Sequence, residues 1–209
     1  MEDKGTLPLR ERKQRHTRET IIEAAMTLFA EHGFDRVTVT AIAERAEVGR
    51  STFFRYFLDK QEVIFADDAE LRQLLVSVAE ERAVAFAPLG DSLATALIVA
   101  NRAVLAISER IAEHSAWLPV RERLIEDNAE LRARNFVKQH GYVAAGVEVL
   151  LRHGATLEVA VLASNLAVAC FAAGHARALA DELDLPTAVN DAFARLSTLG
   201  TLARRDPAD

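Results

Sequence analysis

At 209 residues, 50% apolar and 27% charged with 9 Gly and 5 Pro, the chain has the composition of a globular protein rich in helix formers. Its single cysteine, Cys170, excludes an internal disulfide, and the charged N-terminus has no secretory apolar run, so a reducing cytoplasm is expected. The formal charge of −6 argues against a nucleic-acid binder only until it is divided: residues 1–60 carry 11 Lys and Arg against 10 Asp and Glu, whereas the remainder carries 14 against 21.

Arg10, Arg12, Lys13, Arg15 and Arg18 crowd ahead of the first apolar helix, which reads as a basic arm over residues 1–13; on composition alone an ordinary solvated tail fits as well. Ile21, Ile22, Ala25, Leu28 and Phe29 follow the three-and-four spacing of a helix face, and Gly33 stands where a C-terminal cap belongs. Thr38 caps a short second helix with Ile42, Ala43 and Ala46. A third helix from Arg50 to Phe57 turns Phe53 and Phe57 inward, and Asp59 caps a long fourth helix from Lys60 to about Phe86.

Pro88 and Gly90 break that helix, and Asp91 or Ser92 caps a fifth whose Leu93, Leu97, Ala100, Val104, Ile107 and Ile111 form one buried stripe. A short sixth helix starts at Trp117 to Pro119. A seventh spans Ala129 to Arg152 and is ended by Gly154, Thr156 caps an eighth, and a ninth begins near Pro186 and ends around Gly200. The expected fold is thus all-α with about nine helices. The longest apolar stretch, Val159 to Gly174, falls short of the roughly 20 residues that cross a bilayer, so no membrane span is expected.

Ala43, Val48 and Phe53 supply the small crossing residue, the turn anchor and the second-helix anchor that a helix-turn-helix requires. The free face of the second helix then carries Arg50, Ser51, Thr52, Arg55 and Tyr56, side chains suited to base edges and phosphates. The run from Thr38 to Lys60, and the preceding Ala24 to Phe34, closely resemble the DNA-binding domain of the tetracycline-repressor (TetR) family. The resemblance implies a helix-turn-helix domain over residues 14–64 with the motif at about 38–57, a recognition helix Arg50 to Phe57 including Phe54, and phosphate contacts from Thr38 or Thr40, Tyr56 and Lys60. Arg15 and Arg18 would reach neighbouring phosphates or the minor groove. Three positions depart from the family pattern. Glu47 stands where Gly is usual, so the turn is expected to be slightly remodelled; Gly49 replaces a Ser or Thr cap, and Phe54 removes a hydroxyl.

Residues 65–209 are expected to form an effector-binding and dimerisation domain. The eighth helix is apolar around its circumference, which calls for a partner, and a second copy of the eighth and ninth helices (157–180 and 186–199) would make a two-fold four-helix interface. The family resemblance also implies this dimer and an effector pocket among the fourth to eighth helices. Phe86, Asn101, Trp117, Asn135, Phe136, His140 and Tyr142 are the candidate lining residues, although core or surface roles fit each as well, and the effector would be small and hydrophobic or amphipathic. No phosphate-binding Gly loop, Cys pair, nucleophile elbow or His-Glu-x-x-His is present, and Cys170 and His175 are rotated apart on one helix. Neither an enzyme nor a cofactor or metal site is expected. The reading is a repressor released from a palindromic duplex site when an effector favours a dimer whose fourth helix has pivoted. An effector-independent activator or DNA binder, or a helical ligand-binding protein with a vestigial helix-turn-helix, remain alternatives.

Overall fold

The computed structural model describes residues 8–113, 117–181 and 183–197. They form ten helices: α1 Leu9–His32, α2 Val39–Arg45, α3 Arg50–Tyr56, α4 Lys60–Ile64, α5 Asp68–Val84, α6 Leu93–Ala112, α7 Leu118–Asp127, α8 Ala129–Arg152, α9 Leu157–Asp181 and α10 Leu185–Ser197.

Five helix starts are set by side-chain hydrogen bonds to N–H groups a helix leaves unpaired. The Thr38 side chain accepts from the Ala41 N–H at 3.1 Å, Asp59 from Glu62 at 2.8 Å, and Ser92 from Thr95 at 3.2 Å. Asn128 accepts from both Glu130 and Leu131 to open α8, and Asp184 accepts from Thr187 to open α10. Gly33 ends α1 at φ +76°, a backbone conformation glycine reaches without a Cβ penalty.

The chain divides into two compact units. The first comprises residues up to Ala66 together with Trp117–Ala133. Its core centres on Ile21, Phe29, Ile42, Phe53 and Val63, all at most 1% exposed, with Leu124 and Ile125 of α7 and Leu131 of α8 packed into the same cluster. Residues 117–133 thus depart from the expected division at residue 64. The α7 segment carries its own apolar face, and that face is buried against α1 and α4 side chains, a pairing between positions some 60 to 100 apart that periodicity cannot reveal. The basic arm differs too: Leu9 begins α1, so Arg10, Arg12 and Lys13 are helical and exposed, while residues 1–7 of the proposed arm lie outside the described residues.

The long fourth helix expected from Lys60 to Phe86 is two helices, which is why ten replace nine. Ile64 and Phe65 are adjacent and both buried in one core, and a continuous α-helix would turn successive side chains about 100° apart. The chain instead tightens, with Phe65 bonding back to Glu62 and Ala66 to Val63. Two guanidinium groups take carbonyls at the break: Arg121 Nε donates to Ile64 O at 3.3 Å, and Arg18 donates to Ala66 O.

The second unit holds residues 67–116 and those from Arg134 onward. Its layers are α5 on α6, and α6 on both α9 and α10, with the later part of α8 completing the core through Val149 and Leu150. Asp68 anchors α5 to α8 by accepting from Lys138 at 3.2 Å and, through its carbonyl, from the Tyr142 hydroxyl at 3.2 Å; Glu80 meets His153 at 2.5 Å. The loop before α6 and the loop before α9 are tied by Gly90 N–H to Gly154 O and Thr156 N–H to Gly90 O, both 3.0 Å. At the α9–α10 crossing, an added Cβ on Gly174 would lie 2.5 Å from Val189 Cα, so only glycine permits this approach.

The helix α9 is long and apolar enough to cross a membrane by length and composition alone, with a mean hydropathy of 1.8 over its best 18-residue window. The expectation counted the uninterrupted apolar run rather than the whole 25-residue helix, which explains the difference. Val159, Ala160, Ala163, Ala167 and Cys170 on one of its faces are buried within the second unit.

Candidate nucleic-acid interface

The turn between α2 and α3 is built from three backbone bonds. Val48 N–H reaches Ala43 O at 2.9 Å and Glu47 N–H reaches Glu44 O at 3.1 Å, the paired bonds of a Schellman ending, while Ala46 N–H continues the helix to Ile42 O. Glu47 takes the left-handed position at φ +53°, where glycine is the unstrained residue. The turn is therefore regular rather than remodelled, and the departure in sequence is carried as strain at one residue.

Ala43 is buried beneath the crossing, Val48 packs against the core from the turn, and Phe53 is fully buried. Gly49 caps α3 without a side-chain bond, its carbonyl accepting from Thr52 and Phe53. With Phe53 and Phe57 inward, the opposite face of α3 turns out: Arg50, Ser51, Phe54 and Arg55 are exposed, and Thr52 and Tyr56 are half-buried. The Arg55 guanidinium lies 5.1 Å from the Tyr56 ring centre, and Phe54, 50% exposed, stands edge-on to Phe53. Thr38, Thr40 and Arg15 are exposed as well.

Two expected phosphate ligands have other work. Lys60 Nζ donates to Phe34 O at 2.7 Å, to Val37 O at 2.9 Å and, more weakly, to Asp35 O at 3.4 Å, and it sits 4.2 Å from the Phe34 ring centre. Burial lowers its pKa from the ordinary lysine value, with the Asp35 and Glu130 carboxylates acting the other way. An ammonium has three hydrogens, and all three face carbonyls of the loop between α1 and α2. Arg18 likewise spends its guanidinium on Ala66 O and the Phe57 ring. Neither role was visible in the sequence, because each partner lies 23 to 48 positions away with no periodic relation.

The candidate effector residues do not converge. Trp117 packs in the first unit's core. In the second unit, Asn101 lines an open groove, Tyr142 borders a small cavity, and Phe86 packs beside the second core under the Arg82 guanidinium. Phe136 and His140 pair on the surface with Phe136 63% exposed, and Asn135 lines neither space. Spacing placed these residues on helices but not on facing sides.

A helix-turn-helix with an outward polar recognition face, carried by an all-α chain, defines the class of this protein. Residues 21–66 match the family model for bacterial regulatory proteins of the tetR family, so this domain is similar to the DNA-binding domain of that family. The chain is 38% identical over 97 residues to the HTH-type transcriptional regulator TcmR of Streptomyces glaucescens, a match covering 46% of this chain and 41% of that protein. It is 31% identical over 135 residues to the mycofactocin biosynthesis transcriptional regulator MftR of Mycobacterium tuberculosis, covering 63% and 62%. These matches thus span less than two thirds of either relative. Among solved structures, SmeT in complex with triclosan aligns with a TM-score of 0.56 at 17% identity over 86% of this chain and 91% of that one. A transcriptional regulator from Aquifex aeolicus VF5 gives 0.56 at 18% identity over 88% and 99%. Those two likenesses carry the all-α fold across both units.

Proposed function

We propose that the chain is a transcriptional repressor that binds a palindromic DNA site as a homodimer and is released by a small hydrophobic or amphipathic molecule. The observation that carries this reading is the α3 face: Arg50, Ser51 and Arg55 stand outward on a helix held by Phe53, so a major groove can receive them. In this assignment Arg50 and Arg55 read bases, with Arg bidentate to guanine the favoured pairing, while Thr52, Tyr56, Ser51, Thr38, Thr40 and Arg15 serve bases or phosphates. Phe54 offers an apolar contact to thymine methyls. Lys60 and Arg18 act indirectly, by holding the backbone that presents these groups.

The dimer is supported by α9, which leaves Leu157, Val161, Leu162 and Leu179 at 40–64% exposure. A second copy of α9 and α10 would cover them in a two-fold four-helix interface. Two recognition helices would then meet successive major grooves about 34–36 Å apart. Function as a regulator of this kind requires no catalytic step and no cofactor, and belongs in the cytoplasm with the DNA. TcmR is a transcriptional regulator, and SmeT has been captured with triclosan, which supports an effector for this chain as well.

Selection of tight-binding sequences from random duplexes by the full chain tests the reading. A palindrome with half-sites one helical turn apart, and binding that weakens steeply with salt, is the expected result. Recovery of no preferred sequence would overturn it.

A further inference from the structure

We propose that the groove between α5, α6 and α10 of the second unit binds an amphipathic anion, a hydrocarbon chain ending in a carboxylate; this rests on the effector reading above. The groove has a volume of about 920 Å³, within the range of about 300–1,000 Å³ typical of small-molecule sites. The small cavity beside Tyr142 and the buried, unpartnered Ser164 hydroxyl has only about 30 Å³, enough for water and too small for an effector.

The lining along α6 is graded. Leu93, Ala94, Leu97 and Ile98 come first, then Asn101 and Arg102, a run of about 12 Å at the helical rise of about 1.5 Å per residue. Phe193 and Leu196 of α10 add apolar surface, and Ile98 is left 46% exposed in the groove. Asn190 adds a second amide, while Arg82 and the one lining carboxylate, Glu81, stand on α5 beside the apolar stretch of the groove. Arg102 is held only loosely: its ion pair with Glu109 is 3.6 Å long with both side chains about half exposed, so it can turn to a better acceptor. The Arg82 guanidinium rests 4.8 Å from the Phe86 ring centre. An apolar run along α6 that leads into Asn101 and the Arg102 guanidinium matches a ligand with an apolar tail and an anionic head.

The test uses the full chain, calorimetry and three probes below their micelle-forming concentrations: decanoate, decanol and decyltrimethylammonium. Decanoate is expected to bind about tenfold or more tightly than decanol, and the cation weakest. Arg102→Gln, a surface change, should erase most of the decanoate advantage while leaving decanol unchanged, and Ala94→Trp should fill the apolar end and block both. Equal affinity for decanoate and decanol, or a wild-type response from Arg102→Gln, would overturn the proposal. So would groove variants that change the oligomeric state but not decanoate affinity, since that assigns the groove to a second copy. Decanoate that binds the groove without releasing the selected duplex would support the site and refute its effector role; a chain that binds its duplex but not decanoate would refute the site and leave DNA recognition standing.

Discussion

Glu47 carries a φ of +53° in a turn whose two closing bonds are intact, so its backbone holds strain that glycine would not. The left-handed conformation costs a non-glycine residue roughly 1–2 kcal/mol, part of which glycine gives back through a freer unfolded chain. Glu47→Gly is therefore expected to raise stability by about 0.5–1 kcal/mol in urea unfolding, with DNA affinity little changed. Arg50 and Lys60 separate reading from positioning. Arg50→Ala should flatten the preference for one base position of the selected duplex. Lys60→Met should weaken binding to all duplexes yet leave the salt slope as in the wild type, because its ammonium is bound to Phe34, Asp35 and Val37 carbonyls rather than to phosphate. A slope reduced by about 0.9, the value for one lost phosphate contact, would sink that assignment. The sequence marked both side chains; only the fold shows that one faces outward and the other inward.

At the scale of elements, the short helices α2, α3 and α4 cannot persist alone and depend on caps and on one aromatic core. Phe53 is fully buried where α3 meets that core, and Phe53→Ala should cost about 3–5 kcal/mol, seen as a lowered unfolding midpoint and lost DNA binding. In the second unit the tightest crossing is α9 on α10 at Gly174. A methyl there meets the Val189 backbone, which cannot move aside as a side-chain end can. Gly174→Ala is expected to cost about 1–3 kcal/mol or more and to disturb dimerisation with it, measured by thermal unfolding and sedimentation together.

For the whole molecule, the division of charge and the uncovered face of α9 belong together. The first 60 residues carry 11 Lys and Arg against 10 Asp and Glu while the remainder carries 14 against 21, so the excess acid that would repel phosphate lies outside the helix-turn-helix. Val161 and Leu162 on α9 are 40% and 43% exposed, so each leaves apolar surface open in the single chain. Val161→Glu should leave the unfolding midpoint of the single chain nearly unchanged, give a monomer in sedimentation, and lower affinity for the two-half-site duplex to that for one half-site. A dimer that survives this change would place the interface elsewhere.

Sequence alone determined the helical content, the caps at Thr38 and Asp59, the helix-turn-helix and its outward residues, since all of these arise between positions a few residues apart. Tertiary structure decided the break at Phe65, the assignment of residues 117–133 to the first unit, the inward use of Lys60 and Arg18, and the scattering of the candidate effector residues. Each of these turns on a partner distant in the chain or on a burial conflict, and periodicity records only which way a side chain points along its own helix.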